Sequence, residues 1–419
     1  AEPREYALVM RRLPAKRMLS FLLATGQATP AMMEELATVL ARFHERAEVI
    51  RDLEPNAYLA ALARQWAENF TDLGPFVAAA DRNIFKAIDD FGSEILASRR
   101  ALLRERVEKG WVRDLHGDLH ADHVCFAPEG IQIFDCIEFS AELRRCDLIS
   151  EIAFLSMDIA VRGGTALREP FLQRYGELIQ DPALALLLPF FECYRALVRA
   201  KVHALRLGGW NEQTDRYFRF ASRWLWRQRG PFIVVVCGLT GTGKSSLARE
   251  LARRTDLTVI HSDAVRKRLA RKPGRHVVPM NQGIYSPAMT ERTYSSMARQ
   301  AARRIAAGQG VILDATFIRR AHREKIARVA EKHRVPLLVV RCSASDLTTR
   351  ERLARRMSQG QDISDGRWEI YVRQKALFEP LDELPAESCF EADTERELGA
   401  LASQCEDFLR ARLGRRGLH

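Results

Sequence analysis

A lysine, a serine and three glycines stand together at residues 238–245, which read GLTGTGKS and directly follow the apolar run 232–237. This is the GxxxxGK[ST] spacing of a phosphate-binding loop, in which glycines let successive backbone N–H groups turn toward one phosphate chain. Lys244 adds positive charge near the β- and γ-phosphates, and Ser245 offers its hydroxyl to Mg²⁺. The sequence therefore predicts binding of ATP or GTP together with Mg²⁺. The residues predicted to hold the nucleotide are Gly238, Thr240, Gly241, Thr242, Gly243, Lys244, Ser245 and Ser246.

Two aspartates downstream follow apolar runs of the kind that form buried strands. Asp263 comes after residues 257–260, so it is placed at the carboxyl edge of a sheet, where it can accept a hydroxyl proton. Arg266, one helical turn later, can hold a phosphate or a carboxylate. Asp314 ends the run 311–314 and is predicted to hold Mg²⁺ or to orient an acceptor. The alternative for both aspartates is a cap at the end of a helix or strand.

An arginine-rich segment at residues 350–356 follows the next apolar run and has helical spacing. Arg352 lies near Arg355 or Arg356 on such a helix, which suits a closing lid that neutralises charge on a transferring phosphoryl group. The polar stretch 358–365 is typical of the segment on which a lid hinges. Arg352 and Arg356 both remain candidates for the acting arginine.

A second concentration of acids and histidines lies in the first half of the chain, in HGDLHADH at 116–123 and FDCIEF at 134–139. Asp118 and Asp135 there are the two carboxylates that a kinase-type site needs, one as base and one as Mg²⁺ ligand. The alternative is a metal cluster of His116, His120 and His123, although no later histidine or cysteine pair completes a tetrahedral set. The sequence favours the kinase-type arrangement.

The elements that position these residues change character near residue 228. Before it, amphipathic patterns predict helices with two short β-like pieces at 124–126 and 131–134; the helices are predicted at 31–48, 54–70, 77–108, 147–161, 168–178 and 183–207. Beyond it, strands and helices alternate, with strands near 232–237, 257–261, 310–314, 336–342 and 388–392. The sequence predicts an α/β protein: a mainly helical domain at 1–228, then a five-stranded parallel sheet covered by helices at 229–419.

Composition limits the classes of partner and compartment. The chain has 419 residues, 47% of them hydrophobic, and contains no apolar run near the ~20 residues that a bilayer requires. We expect a cytoplasmic protein whose eight cysteines are reduced. A formal charge of +11 permits contact with nucleic acid, but no recognition motif supports it.

Residues 231–415 resemble the small P-loop kinases that include polynucleotide 5′-hydroxyl kinases, zeta-toxin-like kinases and gluconate-kinase-like enzymes. The resemblance rests on GLTGTGKS, on Asp263 and Arg266 in a DxxR pattern, on LDAT at Asp314 and on the arginine-rich segment. It implies that Asp263 is the general base, that Arg266 binds the acceptor, and that Lys244 and Ser245 serve ATP and Mg²⁺. The acceptor varies within this group and stays open.

Residues 1–225 resemble the aminoglycoside phosphotransferase family, which shares the protein-kinase-like fold. HGDLH matches its catalytic loop with Asp118 as base, and FDCIEF matches its metal-binding element with Asp135 as Mg²⁺ ligand. The family usually has asparagine where this chain has His123, and imidazole is the poorer partner for Mg²⁺. The chain also begins at what resembles the hinge strand, residues 6–10, so we expect the amino-terminal lobe to be absent.

Together these patterns predict a bifunctional fusion in which the P-loop site transfers the γ-phosphoryl group of ATP to a hydroxyl acceptor. The acceptor is a small molecule, a nucleotide or a nucleic-acid 5′ end, and the first domain is a degenerate or truncated phosphotransferase. The alternative is a nucleotide-gated regulatory protein, in which the first domain binds a partner and ATP turnover acts as a switch.

Overall fold

A computed structural model describes residues 12–270, 283–359 and 367–414, except for the side chains of 356–359. The expected hinge strand at 6–10 lies outside these residues. The chain divides into two compact units. The first unit runs to Val77 and resumes at Ile88–Ala221, whereas the second comprises Ala78–Ala87 and the chain from Ser222 onward. Among the described residues, no helix is both long and apolar enough to cross a membrane.

The first unit is built mainly from helices, numbered here along the chain. They are α1 (Leu19–Ala24), α2 (Pro30–Arg46), α3 (Pro55–Leu73), α4 (Arg82–Ser98), α5 (Arg100–Glu108), α6 (Ala141–Arg144), α7 (Leu148–Ile159), α8 (Thr165–Ile179), α9 (Leu184–Leu207) and α10 (Glu212–Arg227). The first residues of α4, up to Ala87, and the last residues of α10, from Ser222 onward, belong to the second unit. The start of α2 shows why these segments become helices: the Thr29 hydroxyl accepts a hydrogen bond from the Met32 backbone N–H, and Pro30 occupies the first turn. Leu36, Leu40 and Ile152 then pack in a common core.

The single helix expected over 77–108 is wrong. A short 3₁₀ turn at Ala79–Asp81 precedes α4, and Arg99 separates α4 from α5. Arg99 has φ −105° and ψ 15°, outside the helical region, so the hydrogen-bond ladder is interrupted although the amphipathic pattern continues through it. Periodicity alone could not reveal this break.

Two small antiparallel pairs carry the loops of the first unit. The hairpin of β2 (Val124–Ala127) and β3 (Gly130–Ile133) confirms the two short β-like pieces. The pair of β1 (Val112–Asp114) and β4 (Arg145–Asp147) was not predicted, because three residues carry too little alternation to recognise. The HGD loop leaves β1, and the aspartate of FDCIEF follows β3.

The second unit contains the predicted five-stranded, all-parallel sheet, in the order β6-β7-β5-β8-β9. Its strands are β5 (Ile233–Cys237), β6 (Thr258–His261), β7 (Val311–Asp314), β8 (Leu337–Ser343) and β9 (Cys389–Asp393). Its helices are α11 (Lys244–Thr255), α12 (Ser262–Leu269), α13 (Pro287–Ala306), α14 (Arg320–His333), α15 (Asp346–Gln359), α16 (Trp368–Leu377) and α17 (Leu398–Arg412). These elements confirm the expected fold class.

Strand register brings the predicted site residues to one edge of this sheet. Every residue of β5 is buried, as expected for a central strand covered on both faces. Asp314 is level with Val236 on β5 and with His261 on β6. The carboxyl ends of the three strands therefore meet where the phosphate loop and Asp263 begin.

Candidate active site

The phosphate loop bends in the left-handed region at its glycines. Gly238 has φ +137°, and a side chain there would place its Cβ 2.3 Å from the Cys342 carbonyl oxygen. Gly241 and Gly243 have φ +80° and +81°. Glycine is the residue that adopts these angles without strain, so the GxxGxG spacing fixes the curl of the loop. The helix α11 starts at Lys244, and its N-terminal N–H groups therefore face the loop.

The side chains of the loop are already held by neighbouring groups. The Lys244 ammonium, which is largely buried, donates to the Leu239 carbonyl oxygen at 2.5 Å. The Thr242 hydroxyl donates to the same carbonyl at 2.8 Å. The Thr240 backbone N–H donates to the Gln374 side-chain oxygen at 2.8 Å, which ties the loop to α16. The lysine thus lies across the mouth of the loop, where a phosphate would bind.

Ser245, Asp314 and His261 form one hydrogen-bonded group beside the loop. The Ser245 hydroxyl donates to Asp314 Oδ2 at 2.6 Å, and His261 Nδ1 donates to the same oxygen at 2.8 Å. Burial opposes ionisation of Asp314, but His261, Lys244 and Ser245 outweigh it and lower the pKa of this carboxyl. A buried carboxylate that stays ionised next to a serine hydroxyl is an oxygen donor set that fits Mg²⁺.

Asp263 and Arg266 lie on the first turns of α12, one turn apart. Arg266 Nη1 donates to Asp263 Oδ1 at 2.8 Å. Burial raises the pKa of Asp263, and Asp314 adds to the rise while Arg266 opposes it. The pKa values of the two aspartates at the sheet edge are therefore shifted in opposite directions. This is the pattern of a site with one proton acceptor and one carboxylate that stays ionised.

Arg266 extends from this pair toward an aromatic surface. Its guanidinium carbon lies 4.8 Å from the centre of the Tyr285 ring. Among the described residues, Nε of Arg266 has no hydrogen-bond partner although the side chain is largely buried. A buried cation with an unused N–H is suited to an anionic or polar ligand.

Of the two candidate lid arginines, the structure describes the side chain of Arg352. Arg352 donates to Thr394 twice, from Nη1 to the hydroxyl at 2.9 Å and from Nη2 to the carbonyl oxygen at 2.6 Å. The Thr394 hydroxyl also donates to the Thr242 carbonyl at 3.0 Å, so Arg352 is joined to the phosphate loop through one residue. The side chain of Arg356 and most of the polar stretch 358–365 lie outside the described part of the chain.

A separate cleft of ≈ 540 Å³ lies along β6. His261 and three arginines, Arg268, Arg303 and Arg304, are among its lining residues, but Asp263 and Arg266 are not. The cleft therefore reaches His261 but is not lined by Asp263 or Arg266.

The HGD loop of the first unit is fixed by a buried glutamate. Glu151 on α7 accepts the His116 N–H at 2.9 Å with one oxygen and the Gly117 N–H at 2.8 Å with the other. Gly117 has φ +80°, and Arg195 donates to its carbonyl at 3.2 Å. These contacts turn Asp118 outward, where about a third of its side chain is exposed.

Asp118 and Asp135 both lie next to histidines. Burial raises the pKa of Asp118, but His120, His123 and Arg199 together bring it below its ordinary value. Asp135 is exposed and has φ +64°, and its Oδ2 lies 3.3 Å from His123 Nε2. The structure therefore brings the two predicted carboxylates of this unit together around His123.

Sequence reasoning missed four residues that support the two sites: His261, Gln374, Thr394 and Glu151. Their partners lie between 34 and 152 positions away along the chain. The signal available in the sequence was the position of His261, two residues before Asp263 and at the end of the second strand.

Two family models match this chain, one in its first part and one in its second part. Residues 2–188 match the "Phosphotransferase enzyme family", and residues 233–381 match an "AAA domain". The chain thus combines a phosphotransferase-family domain with a P-loop kinase domain.

Relatives align with most of this chain. An uncharacterized protein of Mycobacterium tuberculosis (strain H37Rv) and one of Mycobacterium bovis are each 32% identical over 375 residues, which is 87% of this chain and 74% of theirs. The chain belongs to the family of these mycobacterial proteins.

Solved structures are similar to part of this chain. The match to a gluconokinase from Sinorhizobium meliloti has 19% identity and a TM-score of 0.31, and it covers 43% of this chain and 95% of the gluconokinase. An APS kinase from Mycobacterium tuberculosis, in complex with AMPPNP and APS, is 18% identical over 43% of this chain and 98% of its own, with a TM-score of 0.33.

Proposed function

We propose that the second unit is an ATP-dependent kinase that transfers the γ-phosphoryl group to a hydroxyl group. The observation that carries this proposal is the arrangement at the sheet edge, where Ser245 donates to Asp314 at 2.6 Å and Arg266 donates to Asp263 at 2.8 Å. The directions of the two pKa shifts, up for Asp263 and down for Asp314, agree with it. A carboxylate with a raised pKa is the better proton acceptor, whereas one with a lowered pKa remains charged beside a cation.

Each residue of the site then has one task. Asp263 takes the proton of the acceptor hydroxyl as the acceptor oxygen bonds to the γ-phosphorus and the bond to the β–γ bridging oxygen breaks. Lys244 and the N–H groups of the loop stabilise charge on the phosphate oxygens. Ser245 and Asp314 would hold Mg²⁺, which neutralises charge on the β- and γ-phosphates when bound.

The acceptor contacts Arg266, whose side chain is largely buried and whose Nε has no hydrogen-bond partner among the described residues. Both features favour an acceptor that carries a negative or strongly polar group. Small phosphorylated or carboxylated molecules, nucleotides and nucleic-acid 5′ ends all satisfy this chemistry. Arg352 or Arg356 closes the site from α15 and neutralises the transferring group. We assign the protein to the cytoplasm and the first unit, with Asp118 and Asp135, to a degenerate phosphotransferase.

Replacement of Asp263 tests the assignment. The isosteric change Asp263→Asn removes the proton acceptor, so phosphoryl transfer to a panel of hydroxyl acceptors should fall on the order of 10²- to 10⁴-fold while ATP affinity is retained. Transfer is measured with γ-labelled ATP, and affinity by calorimetry. Asp256→Asn is the matched control, because Asp256 lies at the C-terminal end of α11, away from the phosphate loop. Equal transfer by the two variants would contradict the proposal and favour the nucleotide-gated switch.

A further inference from the structure

In the first unit, His123 offers a ring nitrogen at the position where the phosphotransferase family usually has the amide oxygen of asparagine. His123 Nδ1 donates to the Asp118 backbone carbonyl at 2.9 Å, so in the neutral ring Nε2 keeps its electron pair. That nitrogen lies 3.3 Å from Asp135 Oδ2. Two electron-pair donors face each other there, and a cation between them relieves their repulsion.

A second imidazole lies beside Asp118. His120 Nε2 lies 3.5 Å from Asp118 Oδ2, and the rings of His120 and His123 have centroids 3.9 Å apart. One donor atom from each of Asp118, His120 and His123 lies within 4.8 Å of the others. On its far side, His120 Nδ1 accepts the Asp122 N–H at 3.3 Å, and Asp122 Oδ2 lies 3.6 Å away. In this neutral ring the proton is on Nε2, so a metal at Nε2 requires the other tautomer, in which Nδ1–H faces the Asp122 carboxylate.

His116 is excluded from this group by its own hydrogen bonds. Its Nε2 donates to the Phe134 carbonyl at 2.8 Å, and its Nδ1 accepts the Asp118 N–H at 3.3 Å. Both ring nitrogens are therefore used within the loop. The cluster consists of two imidazoles and one carboxylate, with Asp135 near enough to His123 to add a second carboxylate.

This donor set does not fit Mg²⁺, which takes oxygen ligands in a near-octahedral arrangement. Imidazole with carboxylate suits the divalent first-row transition metals, Zn²⁺ among them. We propose that Asp118, His120 and His123 form a binding site for a transition-metal ion of the zinc class. Such an ion engages the Asp118 carboxylate, so the residue that would act as base in a phosphotransferase becomes a ligand instead.

Arg199 competes for the same place. Its Nη1 lies 3.2 Å from His120 Nε2, and its guanidinium carbon lies 5.7 Å from the centre of the Tyr217 ring. The metal must displace this cation from His120, and the positive charge of Arg199 weakens metal binding. Removal of the charge by Arg199→Gln should therefore tighten the site.

The full-length protein, stripped with a chelator and dialysed, is titrated with Zn²⁺ by calorimetry. We expect one equivalent to bind, with no displacement by millimolar Mg²⁺. His123→Asn keeps a donor for the Asp118 carbonyl but removes the imidazole, and should weaken Zn²⁺ binding on the order of 10-fold or more. The matched control is His333→Asn, on α14 in the other unit, which should leave the affinity unchanged.

Cobalt absorption gives a second readout that reports ligand identity. Co²⁺ should show visible bands of low coordination number in the wild type, and these bands should be lost in His123→Asn and in Asp118→Asn. Circular dichroism verifies folding, and Asp118→Asn decides if the histidine variant does not fold. Equal Zn²⁺ affinity of the wild type and both variants, or equal loss in His333→Asn, would overturn the proposal as adventitious binding. Lys244→Ala separates this result from the kinase proposal, because it alters only the P-loop site.

Discussion

The two units place a histidine beside a carboxylate in opposite ways. In the second unit, His261 donates to Asp314 at 2.8 Å, and the carboxylate remains the charged group of the site. In the first unit, His123 Nδ1 donates a hydrogen bond to the Asp118 backbone carbonyl, and the unprotonated Nε2 faces Asp135. An imidazole that donates strengthens an oxygen site for Mg²⁺, whereas one that offers its electron pair favours a softer metal. The orientation of one ring thus distinguishes the two sites.

The largest effect is expected from Lys244→Ala, which should affect phosphoryl transfer at the P-loop site and not metal binding in the first unit. Lys244→Ala removes the charge that neutralises the phosphates, so phosphoryl transfer should fall on the order of 10²- to 10³-fold. Metal binding by the first unit should not change. Lys332→Ala, in the last turn of α14, is the control. A residual rate close to that of the wild type would remove the P-loop site from the mechanism.

Glu151→Gln tests the support of the HGD loop. Both oxygens of Glu151 accept backbone N–H groups, from His116 and Gly117, and the amide nitrogen of glutamine would face one of these donors. We expect a loss of about 3 kcal/mol in the free energy of unfolding. The exposed Glu68→Gln should change it little. Denaturant titration measures both, and equal stability of the two variants would show that the loop is held by other contacts.

Acid should destabilise the second unit through His322. This ring stacks on Tyr294 with centroids 3.9 Å apart, and its burial lowers the pKa to about 4, against 6.5 in the unfolded chain. Between these values the unfolded chain binds the proton more readily, so stability is full above pH 6.5 and declines as the pH falls toward 4. The decline attributable to this group is at most about 3 kcal/mol.

The variant His322→Phe keeps the stacking and removes the titration. Its free energy of unfolding should depend less on pH between 7.5 and 5 than that of the wild type, whereas His333→Phe on the same helix should behave like the wild type. Parallel pH profiles of His322→Phe and the wild type would contradict the assignment.

The smallest expected effect sharpens the comparison of the two histidines. His261→Leu removes the hydrogen bond to Asp314 but leaves Ser245 and Lys244 in place. The pKa of Asp314 should rise, and transfer should fall on the order of 10-fold, mostly through weaker use of Mg²⁺. The Mg²⁺ dependence of the rate measures this. If the rate and its Mg²⁺ dependence are unchanged, His261 has no positioning role.

Much of the sheet could be predicted because its signals are local. A five-residue buried strand, a run of glycines and an acid at the end of the next strand each identify themselves within a few positions, and the expected strands agree with β5 to β9 within one residue at most boundaries. The phosphate loop could be predicted because the spacing of its glycines determines where the backbone can adopt positive φ angles.

The remaining features depend on pairing across the chain. The three-residue strands β1 and β4 form only because Val112 and Asp147 become neighbours, and no pattern within either segment announces this. Likewise, the sequence shows that His120 and His123 are close along the chain, but not which groups their ring nitrogens contact or that both nitrogens of His116 are hydrogen-bonded. Tautomer and ring direction follow from the folded path of the loop.

The short segment Ala78–Ala87 has a consequence for how the chain can be divided. It belongs to the second unit, where Asp81 accepts from the buried Arg254 at 2.9 Å and the Ala80 carbonyl accepts the Ser403 hydroxyl. The polypeptide therefore enters that unit, leaves it and returns, so no single cleavage yields two complete halves. The ribosome must therefore synthesise the chain as far as Ser403 before the early insert and its later partners can be fully assembled.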